Sequence, residues 1–144
     1  RDRRDVRHHR GRRERGCSRL LERRLGVSMF HMLSAFDLAS GRTEREFAEA
    51  WQALADDLIA ADLIVSVSAL AARRATSPLD TDDGRTQSYF TVMNFRDQAQ
   101  SDAAYARIDA QTQPTARVHA RVLAMVKDPV FTCWEDLPTA DQGA

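Results

Sequence analysis

Apolar and polar positions along the chain fall into seven runs. "SMFHMLSAFDL" (residues 28–38) is apolar on both parities, with Phe30, Met32, Phe36 and Leu38 on one side and Met29, Leu33 and Ala35 on the other, which predicts a strand covered on both faces. After the turn "ASGR", Thr43 and Glu46 have the capping-box spacing. Phe47, Trp51, Leu54 and Leu58 then form one helical stripe to about Ala61. "LIVSVSALAA" (63–72) turns β-branched, with Ser66 and Ser68 alternating, and predicts a second strand. "SYFTVMNF" (88–95) predicts a third, again apolar on both sides. Asp97 with Gln100 repeats the capping spacing and opens a helix that Pro114 stops. "TARVHARVLAMVK" (115–127) predicts a short helix, Asp128-Pro129 a break, and "VFTCW" (130–134) a fourth strand.

The order is β-α-β-β-α-(α)-β, the split βαβ pattern of an α+β, ferredoxin-like βαββαβ domain. Four antiparallel strands carry the long helices on one face. Strands one, three and four do not alternate cleanly, so the helix-free face also needs cover. A second copy is the simplest cover, and two sheets packed face to face make a dimeric α+β barrel.

Net charge is zero, but it is unevenly placed. Residues 1–26 hold eleven Arg against four acidic residues, while residues 27–144 hold ten basic against seventeen acidic. Three readings of the basic segment stand: an upstream extension, a nucleic-acid-binding arm, or a twin-arginine export signal at Arg23-Arg24. The first Met is Met29, which favours the extension. His31 and Asp37 interrupt the apolar region an export signal needs. The arm has no aromatic residue for stacking bases, which argues against nucleic acid as the partner. The expected organisation is residues 1–28 as arm or extension, 29–137 as the domain and 138–144 as a polar tail. No apolar run is long enough to span a membrane. Two cysteines, Cys17 and Cys133, make no disulfide framework, and a cytoplasmic setting is expected.

The strings "MFHMLSAFDL", "LDTDDGRTQSYFTVMNFRDQAQSDAAYARI" and "VFTCWEDL" carry a resemblance. Residues 29–137 resemble the dimeric α+β barrel superfamily; the first string is similar to the opening strand of its stress-responsive members, and the others resemble an uncharacterised bacterial branch. The resemblance implies the fold and a homodimer. Its relatives include cofactor-independent monooxygenases, small lyases and isomerases, and proteins with no known chemistry.

Candidate chemistry is sparse. No Gly-rich phosphate loop, Gly-x-Ser-x-Gly elbow or paired-cysteine motif is present, and neither a cofactor nor a metal is expected. "SPLDTDDGRTQ" joins strands two and three with more residues than a hairpin needs. Counted from Asp80, it fails the EF-hand pattern at positions 5, 6 and 12. Asp80, Asp82, Asp83 and Arg85 therefore form either a solvated, ion-paired loop or a lid. His31 is the candidate general base, a lone imidazole on an apolar strand face. Arg73 and Arg74 are candidates to clamp an anionic group. Tyr89, Asn94, His119 and Trp134 are candidates to line a cleft between sheet and helices. A small apolar or anionic ligand, with cofactor-free oxygenation or proton transfer, is the leading expectation. A non-catalytic stress or interaction protein is its rival, and a cavity below about 300 Å³ favours the rival.

Overall fold

Strand β1 (Phe30–Leu38) lies in the middle of the sheet, as its two apolar faces require. It pairs antiparallel with β4 (Tyr89–Phe95) on one side and β5 (Val126–Glu135) on the other. Two two-residue strands, β2 (Ser66–Val67) and β3 (Ala71–Ala72), pair with the far side of β4. The ladder order is thus β2-β4-β1-β5, with β3 also on β4. These features belong to a computed structural model that describes residues 28–138, of which Ser28–Asp136 form one compact unit. The Arg-rich arm and the tail beyond Pro138 lie outside the described residues, as do the expectations attached to them.

Helices α1 (Glu44–Ala60), α2 (Gln98–Asp109) and α3 (Thr115–Leu123) pack on one face of the sheet. The first begins where its capping box predicts. Glu46 N–H donates to Thr43 Oγ1 at 3.2 Å, and Thr43 N–H donates to Glu46 Oε2 at 2.8 Å. Helix α2 is capped differently from a true box. Gln100 N–H donates to Asp97 Oδ1, but the Gln100 side chain turns inward, accepting from Arg96 N–H and donating to Asp62 O. Buried Gln100 thereby ties the start of α2 to the residue that closes α1. A second tie is buried Thr115, which donates to Asp57 Oδ2 at 2.6 Å and accepts from Arg107 Nε at 2.7 Å. The core between these layers includes Phe36, Phe47, Trp51, Leu54, Leu58, Met93 and Phe95.

Three boundaries differ from the sequence expectation. The strand predicted over 63–72 is split, because the Ser68 carbonyl turns away to accept from Trp51 Nε1 at 2.9 Å. Val92 N–H, left without that partner, bonds the Ser68 hydroxyl at 2.8 Å instead. The last helix ends at Leu123, not near Lys127, and β5 starts at Val126. Asp128-Pro129 does not separate helix from strand; it forms a bulge inside β5. Asp128 has φ 51°, and the pairing with β1 slips between Ala35 and Asp37. A bulge tolerates the N–H that proline lacks.

Candidate functional site

Residues paired across the ladders share a face. Phe30, Met32, Ser34 and Phe36 of β1 therefore face the helices together with Phe95, Met93, Thr91 and Tyr89 of β4. Above them, α1 supplies Phe47, Trp51 and Leu54, and α3 supplies His119, Val122 and Leu123. Helix α2 carries alanine where a filled core would need a large side chain: Ala104 is buried against the layer, and Gln100 is its only other buried residue. The space left between α2, α3 and the sheet is a cavity of about 570 Å³. It opens beside Asp102 and Tyr105 of α2 and beside Phe131 and Cys133 of β5, where the helices stop short of the edge strand.

The cavity wall is apolar and aromatic, with few polar groups. Thr91 is 1% exposed, and its Oγ1 has no hydrogen-bond partner. Ser34, its direct ladder partner, is 7% exposed. His119 is half-buried, and burial holds its imidazole below the usual range, favouring the neutral form. Among the described residues lining the cavity there is no Arg or Lys; Asp102, exposed at the mouth, is the one charged side chain.

His31 is not in this cleft, contrary to the expectation for a base there. It shares the helix-free face with Leu33 and Ala35. Its Nδ1 is 2.7 Å from Asn94 Oδ1, its Nε2 is 2.9 Å from Asp136 Oδ1, and its ring stacks on Trp134 at 5.0 Å. Asn94 donates on to Ser66 Oγ at 3.0 Å. His31, Asn94 and Trp134 therefore do converge, on the opposite side of the sheet, with His31 hydrogen-bonded to Asn94 and stacked on Trp134. Tyr89 faces the helices without reaching the cavity. Its hydroxyl donates to Glu44 Oε1 at 2.9 Å, and that carboxylate, with burial, pushes the phenol up. Of the residues singled out from sequence, His119 is the one that lines the cavity. Cys133, at the mouth of the cavity, is exposed because no helix covers β5.

Arg73 is not free to hold an anionic ligand. Its guanidinium grips Asp80 in bidentate fashion, at 2.7 and 2.8 Å, and donates to the carbonyls of Asp82 and Arg85. This bond holds the Asp80 carboxyl down at about 2, against an ordinary value of 3.8. Asp82 Oδ1 accepts from the N–H groups of Gly84 and Arg85. Arg74 is exposed, with Nη1 donating to the neighbouring Arg73 carbonyl, and Asp83 is exposed. The acidic stretch is an ion-paired loop folded around one arginine. It nevertheless reaches across the sheet: Arg85 Nη2 is 3.4 Å from Thr132 Oγ1, Gln87 Nε2 donates to Asp128 O, and Ser88 N–H donates to Asp37. One end of the helix-free face is thus covered by its own chain, and the cavity lies on the other side. No group of three metal-ligating side chains occurs among the described residues.

Sequence reasoning missed Thr91 and Ser34. A signal was available: each interrupts an apolar stripe of one parity, in "FHMLSAF" and "YFTVMNF". Only the ladder register shows that the interruptions meet.

An antiparallel sheet in this order, with its helices on one face, is a ferredoxin-like α+β fold. Residues 28–144 match the family of unknown function DUF6614, and the chain belongs to that family. Among solved structures, a variant of SnoaB, a cofactor-independent oxygenase from Streptomyces nogalater, is 14% identical with a TM-score of 0.52, covering 81% of this chain and 96% of that one. The Arabidopsis thaliana protein At3g17210 is 11% identical with a TM-score of 0.56, covering 78% and 98%. A dimeric protein of unknown function and ferredoxin-like fold from Bacteroides fragilis is 11% identical with a TM-score of 0.49, covering 78% and 99%. No curated protein matches the chain. At these identities the likeness carries the fold and not the activity.

Proposed function

We propose that this protein binds a small, mainly apolar molecule in the cavity between the sheet and helices α2 and α3, working as a homodimer. The observation that carries the reading is the cavity itself. Its volume of about 570 Å³ falls in the range of small-molecule sites and exceeds the roughly 300 Å³ below which a pure interaction protein is favoured. The dimer rests on the exposed part of the helix-free face, which includes Val130 and Trp134 at 41% and 42% exposed.

The chemistry proposed is cofactor-free and begins with removal of a proton from the bound ligand. His119 is the base assigned to it. A neutral imidazole inside an apolar cleft has a free lone pair at pH 7 and little water competing for the proton. His31 is assigned no proton transfer within the cavity, since the sheet lies between them.

Two measurements test this reading. Leu123 is 47% exposed and lines the cavity, so Leu123→Trp can fill the mouth without overpacking the core. Ala104→Phe fills the interior. Uptake of the neutral dye Nile red, read by fluorescence, should weaken at least about tenfold in both variants, the scale set by losing a few buried methylenes' worth of contact. Undiminished uptake in both would remove the cavity as the site. Separately, an NMR titration of the His119 imidazole should place its pKa below the ordinary 6.5, with a further fall when Nile red displaces water. A value at or above the ordinary one would mean that the imidazole is solvated rather than held against the apolar wall, against its placement in the site.

A further inference from the structure

Thr91 and Ser34 stand directly opposite each other on β4 and β1, so their Cβ atoms are about 4.5–5.5 Å apart on the cavity side of the sheet. Around them that floor is Phe30, Met32, Phe36, Met93 and Phe95. Thr91 Oγ1 is fully buried without a partner, and such a hydroxyl destabilises the empty protein. The sheet could have carried valine here at no cost in shape. Instead, two hydroxyl-bearing residues stand opposite each other on the apolar floor of the site.

We infer that Thr91 and Ser34 form an oxygen-binding pair, holding a carbonyl or hydroxyl oxygen of an uncharged, otherwise apolar ligand. The inference rests on the cavity being the ligand site. A hydroxyl both donates and accepts, so the pair suits either oxygen. The ligand is uncharged because its surroundings supply no compensation. A carboxylate would be desolvated with no Arg or Lys on the wall, and a cation would find only Asp102, exposed at the mouth. This class differs from the anionic ligand expected from Arg73 and Arg74, whose guanidinium groups are engaged in the loop or exposed away from the cavity.

The test compares three matched probes on the full chain at pH 7: naphthalene, uncharged 1-naphthol, and 1-naphthoate, each displacing Nile red. Naphthol should bind about tenfold tighter than naphthalene, the effect of one well-made hydrogen bond in an apolar site, and naphthoate should be the weakest. Thr91→Val keeps the shape and removes the hydroxyl. It should bring the naphthol-to-naphthalene ratio close to one while leaving naphthalene affinity unchanged, and Ser34→Ala should reduce the ratio in part. In the absence of ligand Thr91→Val should also raise Tm. Three results would overturn the oxygen pair alone: equal binding of naphthalene and naphthol, a ratio that survives in the Thr91→Val/Ser34→Ala double variant, or naphthoate binding tightest. Failure of all three probes together with Nile red would overturn the cavity reading as well.

Discussion

Leu58→Ala should cost about 4–5 kcal/mol of stability, while the same substitution one turn earlier, Leu54→Ala, should cost nearer 2–3 kcal/mol. Both side chains come from the single apolar stripe of α1 and are almost fully buried, at 0% and 3% exposed. They differ in what lies beyond them. Leu58 belongs to the closed part of the core and is absent from the cavity wall, so truncation leaves a new void in a close-packed region. Leu54 lines the cavity, so one side of it already lacks partner atoms and fewer dispersion contacts are there to lose. Urea unfolding at a fixed protomer concentration gives both values, the concentration being held because dimerisation is linked to stability. Leu54→Ala should also leave dye uptake intact, since it enlarges the site. Equal losses for the two variants, or a larger one for Leu54, would mean that the space beside Leu54 is filled in solution.

What the pattern of residues made legible, and what it left hidden, divides along a physical line. Local signals were sufficient for Thr43 with Glu46, for the α1 stripe, and for the two-faced strands β1 and β4, because each depends on spacings within a few residues. Fold order follows from these. The faces of the sheet do not. Period-two alternation separates Phe30, Met32 and Phe36 from His31, Leu33 and Ala35, but both sets are apolar enough to pass for the covered one. An imidazole among apolar neighbours suggests a site, and the sequence pattern alone therefore points His31 into a cleft. Helix packing instead chose the stripe with the larger side chains, and His31 was left opposite, satisfied by Asn94 and Asp136. The Ser68 kink was equally hidden, since it depends on an indole seventeen residues away in sequence. So was the engagement of Arg73, which takes its four acceptors from a loop whose path no local rule dictates. The site itself arises from a missing bulk, Ala104 on α2, and from two hydroxyls that only the β1–β4 register brings together.

A carboxylate placed on the open part of the helix-free face should convert the protein from dimer to monomer without unfolding it. Val130, Thr132 and Trp134 alternate onto that side of β5, next to Leu33 of β1, and Val92 of β4 continues the patch. The acidic loop covers the end near Asp37 and Asp128, while the end near Trp134 has no cover within the described residues. In a two-fold assembly the same patch meets itself, so one substitution acts twice. Val130→Glu and Trp134→Glu each place a charge on a side chain already two-fifths exposed in the protomer, so the fold of the single subunit should change little. In the dimer two such charges, one from each copy, would be buried without partners, a penalty on the order of 6 kcal/mol, which weakens association at least about ten-thousandfold. Sedimentation at about ten micromolar, a concentration at which a dimer of roughly 10 nM affinity stays assembled and one weakened ten-thousandfold to roughly 100 μM largely dissociates, should find the wild type near twice its 16.2 kDa chain mass. Both variants should run as single chains with unchanged circular dichroism. A wild type that is already monomeric there would instead mean that this face is stable in water, and the exposed valine and tryptophan would then need another partner.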